Sequence, residues 1–252
     1  FGLRSHSFAA FQTMEIDLLR RYLDEPAEAD DWLSSLRLSP QAASHANLRR
    51  LAEAGVTLDL LGELCDQFYA VAPHLADPDM AWNNLERFVN ASRNPLATVA
   101  LFERDPQALP NLLQIFSTSQ YLSDLLVCDN ECYDLLRMTE GQPVARDLLV
   151  EEIVGEVRAM RDPSDVMAAL RRYKQRETMR IAYGDIVRGQ VVAHVARQIS
   201  FLADAVVEAA LQFARRDLEE KWGIPTTEDG ERAKFVVLAL GKLGGIELNY
   251  SS

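Results

Sequence analysis

A recurring two-residue signal most constrains what this chain can become: a polar capping residue directly followed by proline. It occurs as Ser39-Pro40, Asp77-Pro78, Asn94-Pro95, Asp105-Pro106 and Asp162-Pro163. In each pair the first side chain can accept an orphan backbone N–H, and proline at the first helical position gives up a donor the helix cannot use. Five such starts predict many short helices. Between them, Leu58, Leu61, Leu64, Phe68 and Val71 recur at helical spacing, and Gly55 is placed to end the helix that Pro40 begins. Nothing before about residue 220 alternates with period two. Pro95–Phe116 and Gln120–Met138 echo each other as short leucine-rich helix pairs, without the fixed period of a solenoid.

Two long helices are predicted next. One opens at Asp162-Pro163 and runs to about Gly189. The second, from Val192 to Trp222, carries Val195, Ile199, Leu202, Val206, Ala209 and Phe213 on one face, and Gly223 and Pro225 stop it. Then the pattern changes. Phe235-Val-Val-Leu-Ala-Leu240 is a continuous apolar run of strand length, the pattern of a strand buried on both faces, and Gly241, Gly244 and Gly245 follow at once. The expectation is therefore a mainly α protein: a helical bundle over residues 1–160, then long helices and the first strand and glycine-rich turn of a second domain over 161–252. A strand needs neighbours for its N–H and C=O groups, so the chain reads as a fragment that stops just inside an α/β domain.

Charge and cysteine usage narrow the function classes. The net charge of −12, from 38 acidic and 26 basic residues, opposes nucleic acid or an anionic membrane as the main partner. No apolar stretch approaches the roughly 20 residues of a membrane span, and Phe1-Gly2-Leu3-Arg4 lacks the charged start, apolar core and cleavage site of a signal peptide. Three cysteines fit a reducing cytoplasm better than a disulfide framework. Cys128 and Cys132 sit one helical turn apart without nearby ligands, and His6, His45, His74 and His194 are scattered, so neither set reads as a metal site. Trp32, Trp82 and Trp222 read as core or interface anchors.

Two places carry chemical interest. Gly241, Lys242, Gly244 and Gly245, with Ser251 and Ser252, form a glycine-rich turn whose amides and lysine could hold phosphate; a hairpin turn with a solvated lysine stays open beside that reading. The turn is neither a Walker loop nor a dinucleotide fingerprint. Arg172, Arg176 and Arg180 lie four residues apart on one helix face, in a locally basic stretch of an acidic chain. They serve either as a basic patch facing phosphate or a partner, or as an ion-pair network with acidic neighbours such as Glu177 and Asp185.

The run Phe235-Val-Val-Leu-Ala-Leu-Gly-Lys-Leu-Gly-Gly-Ile-Glu-Leu-Asn-Tyr-Ser-Ser252 resembles the signature of the bacterial glutamine synthetase adenylyltransferase/adenylyl-removing enzymes. Leu170–Ala182 is similar to the arginine-rich helix of that family, and Ser119–Leu126 to an upstream Ser-x-x-Leu-x-x-Leu-Leu helix. The resemblance runs in consistent order from about Asp77 to Ser252. It implies a nucleotidyltransferase domain of the polymerase-β type, ATP, ADP and phosphate as substrates, Mg²⁺ as cofactor, and glutamine synthetase and a PII-type signalling protein as partners. Asn249 is similar to the copy that removes AMP from a tyrosine of glutamine synthetase; the adenylylating copy has glycine there. The chain departs from the family pattern by ending at Ser252, immediately before the expected metal-binding Asp-x-Asp, so the fragment is expected to be inactive alone. Lys242 also stands where many superfamily members have serine. The rival readings are a helical interaction module without catalysis and a nucleotidyltransferase with another acceptor.

Overall fold

The computed structural model describes residues 14–39 and 41–250. In chain order the helices are α1 (Ile16–Asp24), α2 (Pro26–Ser35), α3 (Gln41–Glu53), α4 (Leu58–Val71), α5 (Pro78–Ala91), α6 (Pro95–Arg104) and α7 (Ala108–Thr118). They continue as α8 (Gln120–Cys128), α9 (Glu131–Thr139), α10 (Arg146–Val157), α11 (Pro163–Ile186), α12 (Val192–Trp222) and a single four-residue turn, α13 (Gly241–Gly244). The fold is mainly α-helical, and the described residues contain no β-strand beyond one isolated bridge between Thr226 and Arg232.

The capping pairs do what their chemistry dictates. Asp77 accepts the Met80 amide at 2.9 Å, Asn94 the Ala97 amide at 3.1 Å, and Asp162 the Ser164 amide at 2.7 Å, each with proline opening the helix. Asp105 is the exception. Its carboxylate accepts the Gln107 amide at 3.0 Å, which closes a turn, and α7 starts only at Ala108. Pro40 lies outside the described residues. Gly55 takes the left-handed conformation (φ +86°) after α3, and Gly223 the same φ after α12.

Two compact units divide the chain between Asp134 and Leu135, whereas the sequence reading draws its boundary at 160/161, between α10 and α11. In the first unit α5 is the central helix, packing against α3, α6, α7 and α8. It buries Trp82, Leu85, Phe88 and Val89, and the Trp82 indole N–H still finds the Ser44 carbonyl at 3.0 Å. Phe68 meets Trp82 edge-on at 4.8 Å, and Phe88 meets both Phe116 and Tyr133 edge-on, the arrangement that ring quadrupoles favour. In the second unit α10 and α11 both pack along α12. Their shared core is Leu149, Ile153, Val166, Tyr173, Val195 and Leu202, with Ala205 and Ala209 where α12 is approached closely. With 31 residues, α12 is about 46 Å long.

The predicted strand is where the structure departs from the sequence reading. Residues 235–240 form no regular element and join no strand ladder among the described residues, and Phe235, Val236, Leu238 and Leu240 are between 64% and 86% exposed. The expectation that this run is buried is corrected accordingly. The reason is collective: a strand satisfies its backbone and covers its side chains only with strands beside it, and none exists among the described residues. Gly241–Gly244 likewise forms one helical turn rather than a hairpin loop. Trp222, expected as an anchor, is 83% exposed.

Candidate functional site

The glycine-rich segment is built around one close approach. A Cβ on Gly244 would stand 2.5 Å from the Ala239 carbonyl oxygen, so only glycine fits where the chain folds back on the preceding apolar run. Gly241 has φ +61°. The Gly245 amide donates to the Gly241 carbonyl at 2.9 Å, and the Gly244 amide points to the Leu240 carbonyl at 3.5 Å. Both amides are thus turned into the segment's own backbone rather than toward a ligand. Lys242 is exposed on this turn. Ser251 and Ser252 lie outside the described residues.

Beyond the turn the chain is laid across the long helices. The Leu248 amide donates to Ser200 Oγ of α12 at 3.2 Å, and the Tyr250 hydroxyl donates to Asp185 of α11 at 3.2 Å. Burial, then the Asp185 charge and the hydrogen bond to it, push the Tyr250 phenol well above the ordinary tyrosine range.

The three arginines separate. Arg180 is 7% exposed in its side chain and fully engaged. It holds Glu177 at 2.7 Å, the Gln142 carbonyl at 2.6 Å and Gln198 Oε1 at 3.0 Å. Arg176 is half-buried, pairs with Glu152 at 2.6 Å and Glu177 at 3.5 Å, and lies over the Tyr173 ring at 5.0 Å. Burial pulls the Arg176 guanidinium down, but Glu152 and Glu177 together outweigh it and leave the group above its ordinary value. Arg172 is exposed and has no ion-pair partner among the described residues. None of the three makes a hydrogen bond or ion pair with residues 241–250. The ion-pair geometry accounts for Arg176 and Arg180; nothing in the structure gives Arg172 a role.

Around Arg180 the structure assembles a polar clamp that the sequence reading missed. Gln198 of α12 accepts the Val144 amide at 2.9 Å and donates to the Val144 carbonyl at 2.9 Å. Gln190 donates to the Gly141 carbonyl at 3.0 Å. Gly141, at φ +65°, lies so close to Gly184 that a Cβ on it would stand 2.4 Å from the Gly184 nitrogen. A lone glycine inside a predicted helix is the sign that could have revealed the contact.

The remaining candidates stay apart. Cys128 is exposed and Cys132 buried; His45 is buried against the Tyr22 carbonyl at 2.7 Å, and His74 and His194 are exposed. His6 lies outside the described residues. Among the described residues no group of three or more His, Cys, Asp or Glu side chains converges as a metal site would require, so they do not fit a Mg²⁺ site by themselves. No described helix is long and apolar enough to cross a membrane.

With this geometry in place, likeness to known proteins can be read residue by residue. The family profile described as glutamate-ammonia ligase adenylyltransferase matches residues 109–252, which includes α11 and the glycine-rich turn. A Pseudomonas putida protein named bifunctional glutamine synthetase adenylyltransferase/adenylyl-removing enzyme is 28% identical over 236 residues, covering 90% of this chain and 23% of that protein. Proteins of the same name from Mannheimia haemolytica and Methylococcus capsulatus are 25% identical over 207 residues and 35% over 118, covering 78% and 47% of this chain and 20% and 12% of their own lengths. The chain therefore spans at most about a quarter of the curated relatives it matches here. Since the profile takes in more than half of the chain, including both stretches that carry chemical interest, the protein belongs to the glutamate-ammonia ligase adenylyltransferase family.

Proposed function

We propose that this chain is the helical part, and the opening motif, of a nucleotidyltransferase domain that removes AMP from a tyrosine of glutamine synthetase. The observation that carries the proposal is the match over residues 109–252, whose bounds take in the glycine-rich segment. Asn249, in Glu-Leu-Asn-Tyr, supports the removing rather than the adding copy. The reaction is phosphorolysis: an oxygen of phosphate attacks the AMP phosphorus, the tyrosine O–P bond breaks, and ADP leaves with the tyrosine hydroxyl restored. Cytoplasmic glutamine synthetase would be the macromolecular substrate, with a PII-type protein as regulator, and ATP and Mg²⁺ entering through the family's shared chemistry.

The role of the present residues is architectural in this reading. Residues 235–240 supply the edge to which further strands of a polymerase-β-type sheet add, and α11 and α12 receive the segment after the turn through Asp185 and Ser200. The glycine turn and Lys242 would face phosphate once that sheet is complete. In the test, a chain extended to the length of the relatives is incubated with adenylylated glutamine synthetase, phosphate and magnesium. Phosphate-dependent ADP release is the expected result, with none from residues 1–252 alone. Transfer of AMP from ATP without ADP release would assign the adding activity instead, and neither reaction would leave the helices as an interaction module.

A further inference from the structure

A second place on the helical scaffold has the make-up of a ligand site, and it shares no residue with the glycine-rich turn. Between the C-terminal ends of α10 and α12 lies an open groove of about 740 Å³, within the size range of small-molecule sites. Val154, Val157, Phe213 and Ile224 form its apolar surface, and four arginines, Arg158, Arg215, Arg216 and Arg232, border it against two glutamates.

The glutamates do not neutralise this border. Glu220 is engaged by Arg161, which lies outside the groove lining. Glu219 is divided between Arg232, at 2.6 Å to both carboxylate oxygens, and Arg215 at 3.6 Å. Those arginines hold the Glu219 carboxyl below its ordinary range, the Arg232 hydrogen bond first. Arg216 donates to the Arg158 and Met160 carbonyls, where α10 ends, and lies over the Phe213 ring at 5.3 Å. Arg158 is exposed and has no ion-pair partner among the described residues. Two guanidinia without a carboxylate, Arg158 and Arg216, beside two that share one, form a donor set short of negative charge, and guanidinium forks match phosphate oxygens in geometry.

We infer that this groove binds a small organic phosphate, its dianionic group on Arg158 and the Arg215–Arg232 pair and its apolar body on Phe213, Val157 and Ile224. The inference is independent of the catalytic reading, because the groove lies wholly on the α10–α12 scaffold and the turn that follows it.

Phenyl phosphate is the probe, titrated calorimetrically into the 252-residue chain at pH 8 and physiological salt, with inorganic phosphate in parallel. Saturable binding at one site is expected, with inorganic phosphate weaker. Arg158→Ala should weaken phenyl phosphate by about tenfold, the loss of one charged hydrogen-bonding group, while its melting temperature stays unchanged, because the exposed Arg158 side chain makes no hydrogen bond or ion pair among the described residues. Arg215→Ala should weaken it as well. Absence of saturable binding, inorganic phosphate binding as tightly as phenyl phosphate, or affinity that survives Arg158→Ala but is lost in Lys242→Ala would each overturn the inference.

Discussion

Two apolar stretches of this protein meet opposite fates. The face of α12 that carries Val195, Leu202, Ala205 and Ala209 is buried, while Phe235 to Leu240, more apolar over its length, is exposed. Hydrophobicity therefore does not decide between them. A helix closes its own backbone hydrogen bonds and needs only a neighbouring face, which α10 and α11 supply to α12. A strand cannot close its own bonds. Burying residues 235–240 against the same helices would strand the amides and carbonyls of six residues, each costing about 1–3 kcal/mol if left unpaired, against a similar gain for each large side chain covered. The run stays in water.

The comparison can be broken at its strongest point first. Arg180→Ala leaves buried Glu177 with only the more distant Arg176, at 3.5 Å, and should cost about 3 kcal/mol, read as a large fall in melting temperature; Arg172→Ala on the same helix should stay within about 0.5 kcal/mol. Equal effects would show that the clamp on α11 is not what holds the second unit. Next, Leu202→Ala in the α12 core should cost about 2–5 kcal/mol, and Leu238→Ala in the exposed run about 0.5 kcal/mol or less. A destabilising Leu238→Ala in a urea melt would mean that the run is covered in solution after all.

A smaller effect of opposite sign is expected at Gly155. It lies within α10, a Cβ there meets nothing within 4 Å, and Gly155→Ala should raise stability by about 0.5–1 kcal/mol. The same change at Gly141, where φ is positive and Gly184 blocks the space, should lower it.

The smallest effect concerns Tyr250. Its folded-state pKa lies above the unfolded value of about 10, so its contribution to docking is complete below pH 10 and is lost as the pH rises beyond that. A spectrophotometric titration, differenced against Tyr250→Phe, should show this phenol ionising later than an ordinary tyrosine. Ionisation at the ordinary pH would detach the tail from Asp185.

What was legible beforehand follows from how local each signal is. Asp77-Pro78, Asn94-Pro95 and Asp162-Pro163 mark helix starts because the cap and the amide it accepts from lie within three residues of each other. The bounds of α12 were readable for the same reason, from one apolar face and Gly223. Asp105-Pro106 misled because a cap bond can close a turn without starting a helix. The run 235–240 misled because its apolar pattern describes a sheet made by other residues. Arg172, Arg176 and Arg180 read as equivalent by spacing, yet they differ through Glu152, Gln142 and Gln198, which are 18 to 38 residues from the arginines they meet. No periodicity encodes such partners.

The clamp that joins residues 141–144 to the long helices has one further consequence. Gln190, Arg180 and Gln198 grip carbonyls and an amide there, not side chains. The linker is therefore recognised by its path rather than by its spelling. Replacing the side chains of Gln142 or Val144 leaves every one of those bonds in place, whereas replacing any of the three gripping residues removes the bonds that residue makes. Tolerance to mutation is thus uneven along the linker: Gln142 is free to drift, whereas Gly141, pressed against Gly184, Val144, packed on the core, and the helix residues that hold the linker are not.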